Sequence, residues 1–262
     1  IGLQSPTSGT ATVLGHDVRE EAELIEAKRS IGYLPGDPAF DETATGSRIL
    51  DLHASIKGGS RREELIGHFE PPLDRKVREY SRGNVQKLGL VAAFMHDPDL
   101  VIMDEPTSGL DPLMQAEFNE FVRAERDRGT TVFMSSHVLS EVRRVCDRVG
   151  IIRAGKLITV ERVEDLLDRG GKTVRLRVAG SVTAEDLDGV HDLEVRGVEG
   201  ATDGETELLF TYTGRINDLV SALGSLDLLE LDVTEAPLED VFVGFYSDEE
   251  TGDGREVTGS DA

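Results

Sequence analysis

Between Leu100 and Met134 the sequence dictates one unit of fold almost residue by residue. Leu100-Val101-Ile102-Met103 is an apolar run of strand length, and it ends abruptly in two carboxylates, Asp104-Glu105. Pro106-Thr107-Ser108-Gly109-Leu110 then reads as a rigid turn. Asp111 is a helix N-cap with Pro112 at the first helical position, Phe118, Phe121 and Val122 form an inward stripe, and Gly129 is the stop. A second strand follows at Thr131-Val132-Phe133-Met134. A strand, a helix and a strand joined by short connections fit a parallel pair with the helix across one face, so the fold class is α/β with a mostly parallel sheet.

Two further runs complete the expected sheet, Ile31-Gly32-Tyr33-Leu34 and Val149-Gly150-Ile151-Ile152. A helix is expected over 84–95, with Val85, Leu88, Val91, Ala92 and Met95 on one stripe and Asp97-Pro98 ending it. Ala154-Gly155-Lys156 is a turn between apolar runs, and a short helix over 163–168 leads into a Gly170-Gly171 linker. Beyond it, strands at 174–178, 193–195, 207–212 and 228–233 bracket helices near 184–187 and 216–223. This βαββαβ order is that of a small ferredoxin-like α+β module. Residues 237–246 read as a closing amphipathic helix, and 247–262 as an acidic, Gly-rich, disordered tail. The expected domains are therefore 1–170, 171–246 and the tail 247–262.

Charge supports that division and limits function. The chain carries 28 Lys+Arg against 51 Asp+Glu, a net charge of −23, which excludes a basic nucleic-acid binder. Residues 180–262 hold 22 acids and only three arginines, Arg196, Arg215 and Arg255. Dispersed acids with only six lysines are the pattern of a chain kept soluble by carboxylates at high salt, or of an ordinary acidic bacterial protein. No apolar run approaches the roughly 20 residues that cross a bilayer, and the segment after Ile1 lacks a basic, apolar targeting pattern. The single cysteine, Cys146, cannot form an internal disulfide, so a reducing cytoplasm is expected.

The chemistry is concentrated at the end of the 100–103 strand. A carboxylate at the C-terminal edge of a parallel strand can hold a hydrated Mg²⁺, while a neighbouring one polarises water for in-line attack on a phosphate. Met103-Asp104-Glu105-Pro106-Thr107-Ser108-Gly109-Leu110-Asp111 resembles the Walker B motif and D-loop of the nucleotide-binding subunits of ABC transporters. Upstream, Tyr80-Ser81-Arg82-Gly83-Asn84-Val85-Gln86-Lys87 resembles their signature motif, with Ser81 capping a helix. Thr131 to Ser135 delivers Ser136-His137 where the family has its H-loop histidine. Glu235-Ala236-Pro237-Leu238-Glu239-Asp240-Val241-Phe242 resembles the C-terminal segment of exporter ATPases whose permeases are separate subunits.

The resemblance implies a P-loop NTPase-like domain that binds ATP and Mg²⁺ and works as a homodimer, or paired with a second ATPase subunit, on integral-membrane permeases at the inner face of the cell membrane. It implies that Asp104 holds the metal through water, Glu105 polarises the attacking water and His137 positions the γ-phosphate. Ser81 and Gly83 would bind the phosphate of the opposite subunit's ATP, and Asp111 would link the two sites. The sequence departs from the family's pattern at three places, of which Arg82 and Asn84 stay compatible with a capped helix because Ser81 and Gly83 are present, while Asp37 either takes over the glutamine's contact to metal or water or is a surface turn residue. Gly36-Asp37 occupies the place of the Q-loop glutamine, Arg82 replaces a signature glycine, and Asn84 replaces the signature glutamine. No Gly-x-x-x-x-Gly-Lys-Ser/Thr occurs in the 262 residues. The expectation is accordingly a family member lacking its N-terminal Walker A part, inactive as it stands, with a sheet edge opened beside Leu100 to Met103. The rival expectation is a non-catalytic remnant that interacts with a permease, and a soluble ABC protein of DNA repair or translation fits least.

Overall fold

The computed structural model describes residues 2, 4–180, 190–197, 204–224 and 226–235. Two compact units are present, divided between Glu141 and Val142.

In the first unit, β1 (Thr12–Val13) and β2 (His16–Asp17) form a small hairpin, followed by α1 (Glu21–Arg29) and β3 (Ile31–Leu34). Then come α2 (Gly46–Lys57), α3 (Arg62–Phe69), α4 (Arg82–Phe94), β4 (Leu100–Asp104), α5 (Pro112–Arg128), β5 (Thr131–Ser135) and α6 (Leu139–Val145), within which the division falls. The sheet has the order β3-β4-β5 and is parallel throughout, with Ile31 opposite Leu100 and Leu100 opposite Thr131. Strand β4 is thus paired on both sides, and the expected open edge beside Leu100 to Met103 is not there. Exposure falls instead on β5, where Phe133 is 67% accessible.

From Leu88 onward helix α4 is buried all round rather than along one stripe, with Leu88, Gly89, Leu90, Val91, Ala92, Ala93 and Phe94 all covered. Two glycines allow this. A Cβ on Gly32 of β3 would overlap the Ala93 carbonyl, and one on Gly89 would come within 2.6 Å of Leu34 Cδ1. Strand β3 and helix α4 therefore approach more closely than any side chain between them would permit.

Helices α2 and α3 were not anticipated from the sequence. Helix α2 buries Ile49 and Leu50 but leaves Leu52 and Ile56 exposed, and the apolar face of α3 is completed by partners distant in sequence: Phe69 stacks edge-on against Phe121, which also meets Phe94. Below this cluster Arg61 is almost fully buried and donates from Nη1 and Nη2 to the two carboxylate oxygens of buried Glu125, each at 2.6 Å, and to Glu64. A bidentate pair of this kind satisfies both charges away from water.

In the second unit, β6 (Arg148–Arg153) pairs with β7 (Lys156–Arg162) in an antiparallel hairpin. The expected strand at 149–152 is present but is not a member of a parallel sheet. The two turn residues Ala154 and Gly155 have φ of 48° and 76°, the left-handed pair that turns a chain straight back on itself. After α7 (Val163–Gly170) come β8 (Lys172–Ala179), β9 (Val190–Gly197), β10 (Glu205–Tyr212), α8 (Ile216–Leu223) and β11 (Leu228–Glu235). The sheet order is β11-β8-β10-β9 with every neighbour antiparallel. Counted from β8, that is 4-1-3-2, the split βαβ arrangement expected of a ferredoxin-like module. Val174, Leu176, Val178, Leu208, Phe210 and Tyr212 face Leu219 and Leu223 of α8 in a core of their own. The helices expected near 184–187 and 237–246, and the tail 247–262, lie outside the described residues. Half-buried Cys146, its thiol pushed up to about 11 by burial, fits an inert structural role.

Two predictions follow from these packings. Burial, and then the Lys57 ammonium, push the His96 imidazole down to about 4 from an ordinary 6.5. The unfolded chain therefore takes up a proton that the folded chain refuses, and His96 leaves stability intact above pH 6.5 but erodes it as pH falls towards 4. Urea midpoints measured from pH 7 to 4 should fall less steeply in His96→Gln than in the parent, and parallel slopes would contradict the assignment. Secondly, with 22 acids against three arginines over 180–262, self-repulsion should be relieved by screening. The Debye length shrinks from about 10 Å at 0.1 M salt to about 3 Å at 1 M. Melting temperature should rise over that range, and a flat or falling trend would exclude the effect.

Candidate nucleotide site at the end of the central strand

The register of the sheet assembles the site. Pairing of Asp104 with Ser135 brings the C-terminal ends of β4 and β5 level, and Ser135 Oγ donates to Asp104 Oδ1. The Glu105 amide lies 3.2 Å from both the carbonyl and the hydroxyl oxygen of Ser135 and is held to that strand. Here β4 turns sharply: Glu105 has φ of 45°, in the left-handed region that a side chain normally avoids. That backbone conformation, fixed by the Ser135 bonds, carries the carboxylate to His137, whose Nδ1–H donates to Glu105 Oε2 at 2.8 Å. The hydrogen bond and the charge of Glu105 raise the affinity of His137 for its proton, although the ring is largely open to solvent. Gly36, in the turn after β3, closes the group: a Cβ there would come within 3.3 Å of Asp104 Oδ2.

The loop from Pro106 to Leu110 is fastened on both sides. Gln86 Nε2 donates to the Pro106 carbonyl at 2.8 Å in the interior, and Thr107 Oγ1 donates to Glu141 Oε2 at 2.8 Å. Asp111 then caps α5 by accepting from the Leu113 and Met114 amides, each at 3.0 Å. Its carboxylate thus has a structural job in this chain. Ser81 caps α4 by accepting from the Asn84 amide at 3.3 Å. Gly83 lies against the same loop, since a Cβ there would meet the Gly109 carbonyl at 3.4 Å.

Of the residues expected from sequence, Asp104, Glu105 and His137 come together at one sheet edge. Ser81, Gly83 and Asp111 border the 106–110 loop without bonding to Glu105 or His137. Asp37 is exposed beside Gly36. Sequence reasoning missed Ser135, Gln86, Thr107 and Glu141. Ser135 alone had a local signal, a hydroxyl at the end of the adjoining strand.

A parallel sheet whose central strand ends in paired carboxylates, with a histidine delivered by the next strand and a capped helix end nearby, defines a nucleotide-binding domain of the ABC ATPase type. The comparisons with known proteins place the chain further. The family model described as ABC transporter matches residues 1–108. The chain is 32% identical to the bacitracin transport ATP-binding protein BcrA of Enterococcus faecalis, over 92% of this chain and 80% of that protein. It is 32% identical to the linearmycin resistance ATP-binding protein LnrL of Bacillus subtilis (92% and 82%). It is 31% identical to the daunorubicin/doxorubicin resistance ATP-binding protein DrrA of Streptomyces peucetius (92% and 76%). A solved ATP-binding subunit of an ABC transporter superposes with a TM-score of 0.59 at 28% identity, over 64% of this chain and 73% of that one. The chain belongs to the ATP-binding proteins of the ABC transporter family.

Because Glu105 is the first cause of the raised His137 proton affinity, Glu105→Gln should return the imidazole towards its ordinary 6.5. Titration of the His137 ring protons by NMR would register the downward shift. An unchanged titration would show that the two side chains are not bonded in solution.

Proposed function

We propose that this chain is the ATP-hydrolysing subunit of an exporter, acting as a homodimer or with a second ATPase subunit, at the cytoplasmic face of the cell membrane, on separate integral-membrane permeases. The observation that carries the reading is the 2.8 Å bond between Glu105 and His137 beside Asp104, at the edge where β4 and β5 end together. The relatives are named for bacitracin transport and for resistance to linearmycin and to daunorubicin and doxorubicin, and outward transport is the reading we give those names for this chain. Among the described residues no helix is long and apolar enough to cross a membrane, in keeping with a need for permease partners.

In this reading Glu105 accepts a hydrogen bond from water with the carboxylate oxygen that His137 leaves free, and orients that water towards the γ-phosphate. His137, its proton held by Glu105, donates to the phosphate rather than acting as the base. Asp104 and Ser135 offer a carboxylate and a hydroxyl, hard oxygen donors, with Gly36 leaving room beside them. These suit Mg²⁺, which binds through one or two carboxylates plus waters and phosphates. When bound, the ion supplies charge neutralisation of the phosphates. Ser81 and Gly83 at the positive end of α4 receive the γ-phosphate held by the partner subunit, and Asp111 connects the two sites. Residues 1–170 serve as the ATPase domain and 171–246 as an accessory module whose core is its own.

The decisive test is Glu105→Gln in the assembled transporter. The amide keeps the shape and loses the charge that polarises water, so ATP binding should persist while turnover falls at least a hundredfold, trapping an ATP-bound dimer. Phosphate release within a few-fold of the parent would sink the role given to Glu105. The 262 residues themselves include no Gly-x-x-x-x-Gly-Lys-Ser/Thr, whose amides and lysine cradle the β- and γ-phosphates. Equilibrium dialysis with Mg²⁺ should therefore find ATP affinity of this chain alone weaker than micromolar. A micromolar constant would mean that other residues form the cradle.

A further inference from the structure

The residue at the first position of α4, Arg82, stands where the signature motif that this chain resembles has glycine. A guanidinium at the first turn of a helix meets the positive end of the helix dipole, an unfavourable place for a cation without an anion beside it. Among the described residues no carboxylate lies within ion-pair distance of it. Instead, Arg82 Nη2 donates to Ser108 Oγ at 2.8 Å. The stem of the side chain crosses Gly109: a Cβ there would come within 2.8 Å of Arg82 Cδ and 2.9 Å of Cγ. Gly109 also has φ of 82°, so the left-handed backbone and the arginine both require a residue without a side chain at that position.

One turn further along, Gln86 is 1% exposed and donates from Nε2 to the Pro106 carbonyl at 2.8 Å. Positions i and i+4 lie on one face of a helix. The same face of α4 therefore grips the loop at Pro106 and again at Ser108. The loop begins at Glu105 and ends at Asp111.

We propose that Arg82 and Gln86 are positioning residues which clamp the 106–110 loop to α4, so that the capped end of α4 and Glu105 of the same chain move as one body. The inference rests on the proposed function, which gives the end of α4 to the partner's γ-phosphate and Glu105 to the chain's own. A phosphate arriving at Ser81 then settles the loop that carries the water-orienting carboxylate of the opposite site, and Arg82 is the exposed, adjustable half of the link.

The test uses Arg82→Ala, Ser108→Ala, the double variant and Arg82→Lys, because loss of buried Gln86 would risk the fold. In the chain by itself, amide hydrogen exchange at 107–110 should quicken about fivefold to tenfold in each alanine variant, the yield of one lost hydrogen bond. The double variant should be no faster than either single one, and urea midpoints should stay unchanged. In the assembled transporter, Arg82→Ala and Ser108→Ala should each lower kcat about tenfold at constant KM, with partial recovery in Arg82→Lys, whose ammonium also donates to a hydroxyl. If the parent transporter does not hydrolyse ATP, the ATPase reading fails, and hydrogen exchange still decides the clamp. If the parent is active and both alanine variants match it, the clamp is overturned. A loss of activity in Arg82→Ala alone, with exchange at 107–110 unaltered, would also overturn it, by showing that the guanidinium acts on phosphate directly.

Discussion

The parallel register between β4 and β5 is the constraint on which the candidate site depends. Because Asp104 lies opposite Ser135, the two strands end level, and the hydroxyl of one reaches the carboxylate of the other. Shift the pairing by one residue and Ser135 would point to the other face of the sheet, Glu105 would lose its backbone partner and His137 would not meet it. The strained backbone at Glu105 persists because Ser135 holds the residue by its amide, an instance of local strain sustained by surrounding bonds.

Helix α4 lies close against the strand on the other side of β4. Gly32 and Gly89 remove the side chains that would keep β3 and α4 apart, and the helix is buried on every side from Leu88 onward. The Arg61–Glu125 pair and the cluster of Phe69, Phe94 and Phe121 fasten α3 and α5 to the same core. A buried bidentate pair adds little net stability compared with apolar packing, but it tolerates only one arrangement of its partners, which suits a place where helix ends must be fixed.

The acidic character of the chain is expressed differently in its two units. In the first, carboxylates at Asp104, Glu105 and Asp111 accept specific hydrogen bonds from Ser135, His137 and the start of α5. In the second, Glu205, Glu207 and Glu230 pair with Arg175 and Arg177 across one face of the antiparallel sheet, while the opposite face is apolar against α8. Exposed pairs of that kind contribute little stability and are weakened further by salt, so the apolar face supplies most of what holds the module together.

What the sequence determined by itself was everything encoded within a few residues. The 100–135 unit, the caps at Ser81 and Asp111, the stop at Gly129 and the four strands and second helix of the C-terminal module follow from short-range patterns of apolar spacing, capping chemistry and turn residues, and the structure bears them out, whereas the 4-1-3-2 order of those strands is set by long-range pairing. The carboxylates Asp104 and Glu105 and the histidine His137 were visible for the same reason: each stands at the end of a strand of recognisable length. Tertiary structure decided what depends on residues far apart in the chain. It brought Ser135 to Asp104 and Gln86 to Pro106, and set Phe69 of α3 against an aromatic residue of α5. It turned the 149–152 strand into half of an antiparallel hairpin and placed β4 in the middle of its sheet. Local sequence sets which face of an element is apolar and where it stops. Which other element covers that face, and in what register, is fixed only when side chains distant in sequence compete for the same buried space.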